Sequence, residues 1–462
     1  VNFLVFENEN EIYDLIVVGG GPTGSTAARY AKKNGVSRVL VIEENPSVGS
    51  PVQCAGLLSV AALKETDMEP DSSFVLNSVK GAKVYPPNKK AFWVVGKETK
   101  AYVVSRKMFD RKIAEKAANA GVECLMKAKV IGLKDAFFPD SEESDLKAGE
   151  TGLKAEESDL KTGKLNFKAV EIMHAGMKKT FYSKIVIAAD GVRSEVSKMA
   201  GLKPCERVLS GIQIETDYKS EDSEFVEMFV GQEAPGFFAW SIPISESVSR
   251  IGLAIDSKRF KKIANEKFNN FENSENSENF ENNKDVFAID FLNRLLENPV
   301  IQEKRSLGCF DFVVGGIPIG PMKKTYSAGF MVVGDAAGQC KPISGGGIYT
   351  GAVAAKIAAK VAANAVLEND FSEKKMAEYE KLWKKELGRE LELGMKIHEY
   401  RMKLTDEEMN RIFDELNDPD ISRLITEYGD MDHPSVLIQK LMLSKHSLKM
   451  IKLFGTVVKT LF

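Results

Sequence analysis

Gly19, Gly21 and Gly24 stand in the spacing Gly-x-Gly-x-x-Gly directly after the apolar run Tyr13 to Val18. The chemistry of such a pattern lies in its backbone. The first glycine permits a tight turn, the second lets the chain approach a pyrophosphate, and the third lets a helix pack closely on a strand. A helix opening there offers free N–H groups and the positive end of its dipole to phosphate oxygens. Glu43 closes a second apolar run, Arg38 to Ile42, 19 residues after Gly24. A carboxylate at that place can accept both hydroxyls of a ribose, and an acid rather than a base disfavours a 2′-phosphate. A glycine turn of purely structural use would require none of this context. NAD and FAD both satisfy the motif.

Three later segments bear on that choice. Ser105-Arg106-Lys107-Met108-Phe109-Asp110 opens a helix expected to run to about Ala120. Val186 to Ala189 leads into Asp190-Gly191-Val192-Arg193-Ser194, and Met331 to Val333 into Gly334-Asp335-Ala336-Ala337-Gly338; both read as strand, tight turn and helix. The last of these continues through Pro342-Ile343-Ser344-Gly345-Gly346-Gly347-Ile348. An aspartate at a strand end can hold a sugar-like hydroxyl while the following helix N-terminus faces a phosphate or a flavin carbonyl.

In this order, from about Tyr13 to Ala365, the segments resemble the flavoprotein group that includes para-hydroxybenzoate hydroxylase. The matching residues are the RxxFD-like Arg106 and Asp110, the DGxRS-like Asp190 to Ser194, and the GDAAG-like Gly334 to Gly338. The resemblance implies FAD as cofactor. It would put Asp335 on the ribityl chain, Arg106 on the pyrophosphate side, and Gly19, Gly21, Gly24 and Glu43 on the ADP half. Pro22, Thr23, Cys54, Ala55, Gly56, Asp190, Gly191, Gly334, Gly338, Gly346, Gly347 and Ile348 complete the implied cofactor set.

Two further segments narrow the group. Pro51-Val52-Gln53-Cys54-Ala55-Gly56 is similar to the PxxCxG element of the geranylgeranyl reductase family. Phe237-Phe238-Ala239-Trp240-Ser241-Ile242-Pro243, with Gly252 nine residues on, is similar to that family's aromatic-x-Trp-x-aromatic-Pro…GxG element. Ile242 replaces an aromatic residue and Ala254 the last glycine, departures that bear on which prenyl chain is bound. The resemblance, strongest to archaeal members acting on digeranylgeranylglycerophospholipids, implies a prenyl lipid substrate lined by Phe238, Trp240, Pro243 and Gly252. It puts Cys54 near the flavin as the catalytic candidate, in substrate alignment or proton delivery, although no group tuning its thiol is visible in the sequence. Aromatic residues suit an apolar tunnel, but they equally suit the interior of a sheet. Cys309 and Cys340 flank the third FAD segment and read as structural.

The implied reaction passes a hydride from reduced flavin to one alkene carbon while a proton reaches the other. An isolated alkene has no carbonyl to polarise, so the pocket must position rather than stabilise an oxyanion. No second Gly-x-Gly-x-x-Gly follows a strand, so the electron donor, NAD(P)H or ferredoxin or another carrier, stays open. The rivals are an FAD-dependent monooxygenase or halogenase on the same scaffold, a lipid-binding protein that retains flavin without turnover, and a nicotinamide dehydrogenase. The Asp335 segment argues against the last.

These residues must be positioned by a chain of 462 residues, 44% hydrophobic and 28% charged, long enough to bury a core without staples. The expected class is α/β: a Rossmann-like FAD-binding domain, an antiparallel β-sheet substrate domain and a helical C-terminal region. The FAD-binding domain is expected to be discontinuous, from 12–80, 100–202 and 315–365, with the substrate domain at 81–99 and 203–314 and the helical region at 366–462. Polar stretches at 139–164, which carries a tandem duplication of Glu-Glu-Ser-Asp-Leu-Lys, and at 268–284, rich in Glu-Asn, read as surface insertions.

Composition removes other classes. Lysine and arginine number 63 against 66 acids, a net charge of −3, which argues against a nucleic-acid binder. Five scattered cysteines and four scattered histidines suit a reducing, cytoplasmic setting and no metal site. The first twelve residues hold three glutamates and no basic stretch, unlike a secretory signal. No uninterrupted apolar run reaches the roughly 18 residues that span a bilayer. From His433 to Phe462, however, five lysines and no acid interleave with apolar residues. A basic amphipathic helix of this kind either lies on an anionic membrane, here the inner face of the cell membrane, or docks on the protein's own core.

Overall fold

The computed structural model describes residues 12–137, 166–256, 287–306 and 308–447. Both polar insertions lie outside the described residues.

The dinucleotide motif sits in a sheet whose central strands are parallel. In spatial order they are Phe330–Val332, Met177–Ala188, Ile12–Val18, Val39–Ile42 and Glu123–Leu125. Such strands are covered on both faces, and Leu15, Ile16 and Val17 are accordingly all fully buried. Antiparallel strands Ala128–Phe137 and Asn166–His174 extend the sheet from Met177–Ala188. The helix Pro22–Lys33 begins at Gly21, with proline in its first turn, where its missing N–H costs nothing.

On the same side of the sheet runs the helix Ile348–Glu368. It is long and apolar enough to cross a membrane by composition, but it packs between Pro22–Lys33 and the long helix Glu373–Arg401, with Ala354, Ala355, Ala358 and Ala362 fully buried. It is a core helix. The lysines that interrupt its apolar run, Lys356 and Lys360, lie outside that packed stripe.

The second sheet has seven strands: Asp311–Pro318, Val208–Asp217, Val248–Ile255, Ala239–Pro243, Phe225–Phe229, Gly81–Tyr85 and Phe92–Val95. It departs from the expected antiparallel pattern at one pair, because Phe225–Phe229 runs parallel to Gly81–Tyr85. Parallel neighbours need a long crossover, and here the chain adds four strands of the dinucleotide sheet, Glu123–Leu125 through Met177–Ala188, between them. The strand Asp311–Pro318 lies wholly in this sheet, so the boundary expected at 315 falls inside a strand. One face of the sheet is covered by the helix Ala288–Leu296 through Phe291, Leu292 and Leu295. The other face carries Trp240, Leu209, Val226 and Ala254 and meets Ala55 and Leu57.

The C-terminal region is helical, with Glu373–Arg401 followed by Asp406–Leu416, Pro419–Tyr428 and Pro434–Leu443. Of the two readings of the basic tail, its described part takes the docked one: the helix Pro434–Leu443 packs through Leu441 and Leu437 on Ile421 and Leu424. Lys440 sits over the Tyr428 ring and Lys445 pairs with Asp420. Residues 448–462 lie outside the described residues.

Candidate active site

The site forms beyond the carboxyl ends of the parallel strands, where open α/β sheets bind their ligands. Gly19 has φ +104°, and a Cβ there would lie 2.2 Å from the Ala189 carbonyl oxygen. The first turn therefore rests directly on the end of the neighbouring strand, next to Asp190. A Cβ on Gly24 would lie 1.9 Å from the Gly19 oxygen, so only glycine lets helix and turn meet. Gly21 differs, because a Cβ there would meet nothing within 4 Å. The turn is closed on two sides and open on the third.

Glu43 is buried beneath this turn. Its Oε2 accepts from the Gly20 N–H at 2.7 Å, and its Oε1 accepts from the Asn45 backbone and side-chain nitrogens, both at 2.8 Å. A carboxylate offers about four lone-pair positions, so roughly one is left for a ribose hydroxyl rather than two. Glu43 braces the turn as well as facing the ligand.

Asp190 Oδ2 accepts from the Val196 N–H at 2.9 Å, while its Oδ1 is buried without a hydrogen-bond partner. Burial raises its pKa above the usual carboxylate range. Asp335 lies in the short 3-10 turn Gly334–Ala337, and its Oδ1 accepts from the Cys340 thiol at 3.0 Å. A Cβ on Gly347, at the start of Ile348–Glu368, would lie 2.5 Å from that oxygen. A Cβ on Gly334 would lie 2.8 Å from the Thr23 side chain, which joins this segment to the fingerprint helix. Gly346 is held in the adjoining loop by the Lys341 N–H on its carbonyl. Burial, then Asp335, pushes the Cys340 thiol well above its ordinary value, which keeps it a neutral donor.

FAD fits this set. Gly21 leaves an open backbone cradle, Asp190 holds an unspent buried acceptor, and Asp335 lies beside a glycine-lined helix start.

Cys54 sits in a loop that the structure ties to three elements. Its Sγ accepts from the Gly56 N–H at 3.3 Å. Arg106 grips Asp110 through Nε at 2.9 Å and Nη2 at 3.0 Å, and its guanidinium also interacts with the Cys54 thiol. Burial would lower the Arg106 pKa, but Asp110 and then Cys54 outweigh it and raise it. The cation expected on the pyrophosphate side thus stands beside the thiol, with two of its donors committed to Asp110.

Arg250, not anticipated from the sequence, donates from Nη1 to the carbonyls of Ala55 at 2.9 Å and Val104 at 3.0 Å. Gly56 has φ +77°, and a Cβ there would lie 2.3 Å from that same nitrogen. The only sequence signal for Arg250 is its place two residues before Gly252, on the same strand face.

Registers place the aromatic residues. Trp240 pairs with Gly252, and Gly252 with Gln213, so the three side by side share one face. With no side chain on the middle strand, the indole reaches across and its Nε1 donates to Gln213 Oε1 at 2.9 Å. Phe238 meets Trp240 edge-on with ring centroids 6.0 Å apart. This face packs with Ala55, Leu57 and Cys340. Pro243 does not join it: alternation along Ala239–Pro243 turns it to the opposite face, and its carbonyl accepts from Asn77.

Comparison with known proteins places this geometry among relatives. A family model described as an NAD(P)-binding Rossmann-like domain matches residues 17–54. The digeranylgeranylglycerophospholipid reductase of Methanococcus aeolicus is 34% identical over 414 residues, covering 88% of this chain and 90% of that protein. The crystal structure of a geranylgeranyl bacteriochlorophyll reductase-like protein from Thermoplasma acidophilum superposes with a TM-score of 0.75 at 27% identity, over 97% of this chain and 99% of that one. The flavin-dependent brominase Bmp2, as a triple mutant, shares the fold at 17% identity and a TM-score of 0.63, over 93% of this chain and 98% of that one.

Proposed function

The chain belongs to the digeranylgeranylglycerophospholipid reductase family, and from that premise we propose that it saturates the isoprenoid double bonds of a digeranylgeranylglycerophospholipid. It is an FAD-dependent oxidoreductase acting on carbon–carbon double bonds. FAD, when bound and reduced, supplies the hydride. Gly19, Gly21, Gly24, Glu43 and Asp190 would hold its nucleotide half, and Asp335 with Gly347 would hold the remainder.

The observation that carries the reading is the joint packing of Trp240, Phe238 and Ile317 with Ala55, Leu57 and Cys340. An apolar face laid against the Cys54 loop can hold an alkene that offers no polar handle, and positioning is the larger part of what such a substrate can gain. Cys54 stands where that face meets the loop and is the proposed aligning or proton-delivering group, with Arg106 as the charge beside it. Arg250 fixes the loop and Gln213 fixes the indole.

The reaction requires a reducing partner as well as a prenyl lipid; NAD(P)H and ferredoxin are the two classes of donor. A lipid substrate also requires a meeting with a membrane, which we assign to the basic segment beyond Leu443, on the cytoplasmic side. Leu443 itself is 83% exposed.

The test is anaerobic incubation of dithionite-reduced holoprotein with the digeranylgeranyl lipid, followed by mass spectrometry. Each saturated bond adds the mass of two hydrogens. Flavin that stays reduced beside an unchanged lipid overturns the reading, and an oxygenated or halogenated product formed under air transfers the protein to the monooxygenase and halogenase class.

A further inference from the structure

Behind the aromatic face lies a buried charged cluster that the site described above does not use. Arg401, at the end of the helix Glu373–Arg401, donates from Nη2 to His398 Nδ1 at 3.1 Å. With Nδ1 accepting, His398 donates through Nε2 to Asp256 Oδ2 at 3.2 Å. Arg207 reaches the same carboxylate oxygen with its Nε at 3.6 Å. The His398 and Asp256 side chains are 0% and 2% exposed.

The charges in this cluster do not balance. Burial, with Arg401 and Arg207 adding to it against the Asp256 hydrogen bond, lowers the His398 pKa, so the ring is neutral and, among the described residues, two guanidiniums face one carboxylate. Arg207 Nη1 and Arg401 Nε are both buried without a hydrogen-bond partner. An unpaired buried donor on a cation is costly, and a phosphate offers acceptor oxygens for donors of both guanidiniums. Burial also pulls the Arg401 pKa down to about 10, the direction expected of a cation short of counter-charge.

The cluster adjoins the proposed lipid face. The Arg401 guanidinium lies 4.7 Å from the Phe237 ring centroid, Phe237 stacks on Phe238 at 4.3 Å, and Phe238 meets Trp240 at 6.0 Å. Ser344, whose buried hydroxyl also lacks a partner, belongs to the loop whose Gly345 backs onto the Phe237 ring. A row of aromatic rings ending at the Arg401 guanidinium, to which His398 and Asp256 join Arg207, is matched to a molecule with an apolar chain and a phosphate at its end.

We propose that Arg207 and Arg401 form an anion subsite that takes the phosphate of the glycerophospholipid substrate, anchoring the headgroup while the chains lie along Phe237, Phe238 and Trp240. This rests on the functional reading above. It assigns guanidinium forks to a phosphate, for which their planar donors are suited.

The experiment compares FAD-loaded wild type with Arg401→Gln and Arg207→Gln on the phospholipid and on its dephosphorylated glycerol counterpart. The preference in kcat/KM for the phosphorylated lipid should fall roughly tenfold or more in either variant, the loss of one charge-assisted contact. Equal loss on both lipids, or none, overturns the subsite. Inorganic phosphate separates the two sources of the anion. If it competes with the phospholipid alone, the headgroup occupies the site; if it alters turnover of both lipids equally, the site holds free phosphate and the headgroup assignment fails.

A wild type that reduces neither lipid refutes the functional reading instead. The subsite is then decided by thermal unfolding: phosphate should raise the Tm of wild type and not of the variants, and an unchanged wild-type Tm overturns it. Where Arg401→Gln fails to fold, Arg401→Lys, which keeps the charge but not the fork, replaces it with the same expected loss of preference.

Discussion

The Cys54 loop depends on a position too small for any side chain. Gly56 has φ +77°, and a Cβ there would crowd Arg250 Nη1 and come within 2.6 Å of the Val104 carbonyl oxygen. Gly56→Ala must strain the backbone and displace Arg250 from the Ala55 carbonyl, at a cost of about 1–3 kcal/mol. Chemical denaturation should show the loss, and thiol alkylation of Cys54 should quicken as its loop loosens. Unchanged values for both would mean that the clamp is dispensable. Asp190 supplies a pH test. Its folded pKa is raised, so its contribution to stability is fully present below the unfolded value near 3.9 and is lost as pH rises through the folded value. In the apoprotein, Asp190→Asn should therefore gain Tm over wild type as pH climbs from about 4, levelling off once Asp190 is ionised. A difference that stays flat from about pH 4 to 7 would refute an unsatisfied buried carboxyl there.

At the scale of elements, the strands Val208–Asp217, Val248–Ile255 and Ala239–Pro243 act as one device, with Gly252 as the gap through which Trp240 reaches Gln213. Trp240→Phe keeps most of the apolar area but strands the Gln213 amide oxygen, which should cost about 1–3 kcal/mol by denaturant midpoint. Adding Gln213→Met removes both partners and should recover most of that loss, since two apolar groups leave nothing unpaired. A double variant no better than the single one would place the energy in packing rather than in the hydrogen bond. This device also marks how far the sequence can be read. Trp240 and Gly252 are legible as a motif because their spacing is local. Gln213 is not, because a register between strands far apart in sequence leaves no local trace, and Pro243 shares a motif with Trp240 although strand alternation separates them. The glycine fingerprint and the Asp190 and Asp335 turns are legible for the opposite reason: their chemistry belongs to the backbone, and the backbone announces it through glycine. Arg250, and the charge of Arg106 beside Cys54, are side-chain meetings made only by the fold.

For the whole molecule, a net charge of −3 averages over a very uneven surface. From Pro434 onward there is no acid, yet the described part of that segment is not free for a membrane: Leu441 is buried, Lys440 covers Tyr428 and Lys445 pairs with Asp420. Lys449, Lys452 and Lys459 remain, among Met450, Ile451, Leu453 and Phe454. Near an anionic surface each lysine contributes about 1 kcal/mol, so three lysines supply roughly a hundredfold in vesicle partition. The prediction is that deletion of residues 448–462 reduces co-sedimentation with phosphatidylglycerol-containing vesicles by about that factor. Raising the salt to about 0.5 M should have a similar effect on the full chain by screening. Turnover of detergent-dispersed lipid should persist in the shortened chain, because the residues assigned to the Cys54 loop, the aromatic face and the nucleotide turn all precede residue 448. If the shortened chain still binds vesicles as tightly as the full one, the membrane contact lies elsewhere on the body, and the exposed stripe of Phe310, Phe312 and Val314 along the sheet edge becomes the surface to mutate next.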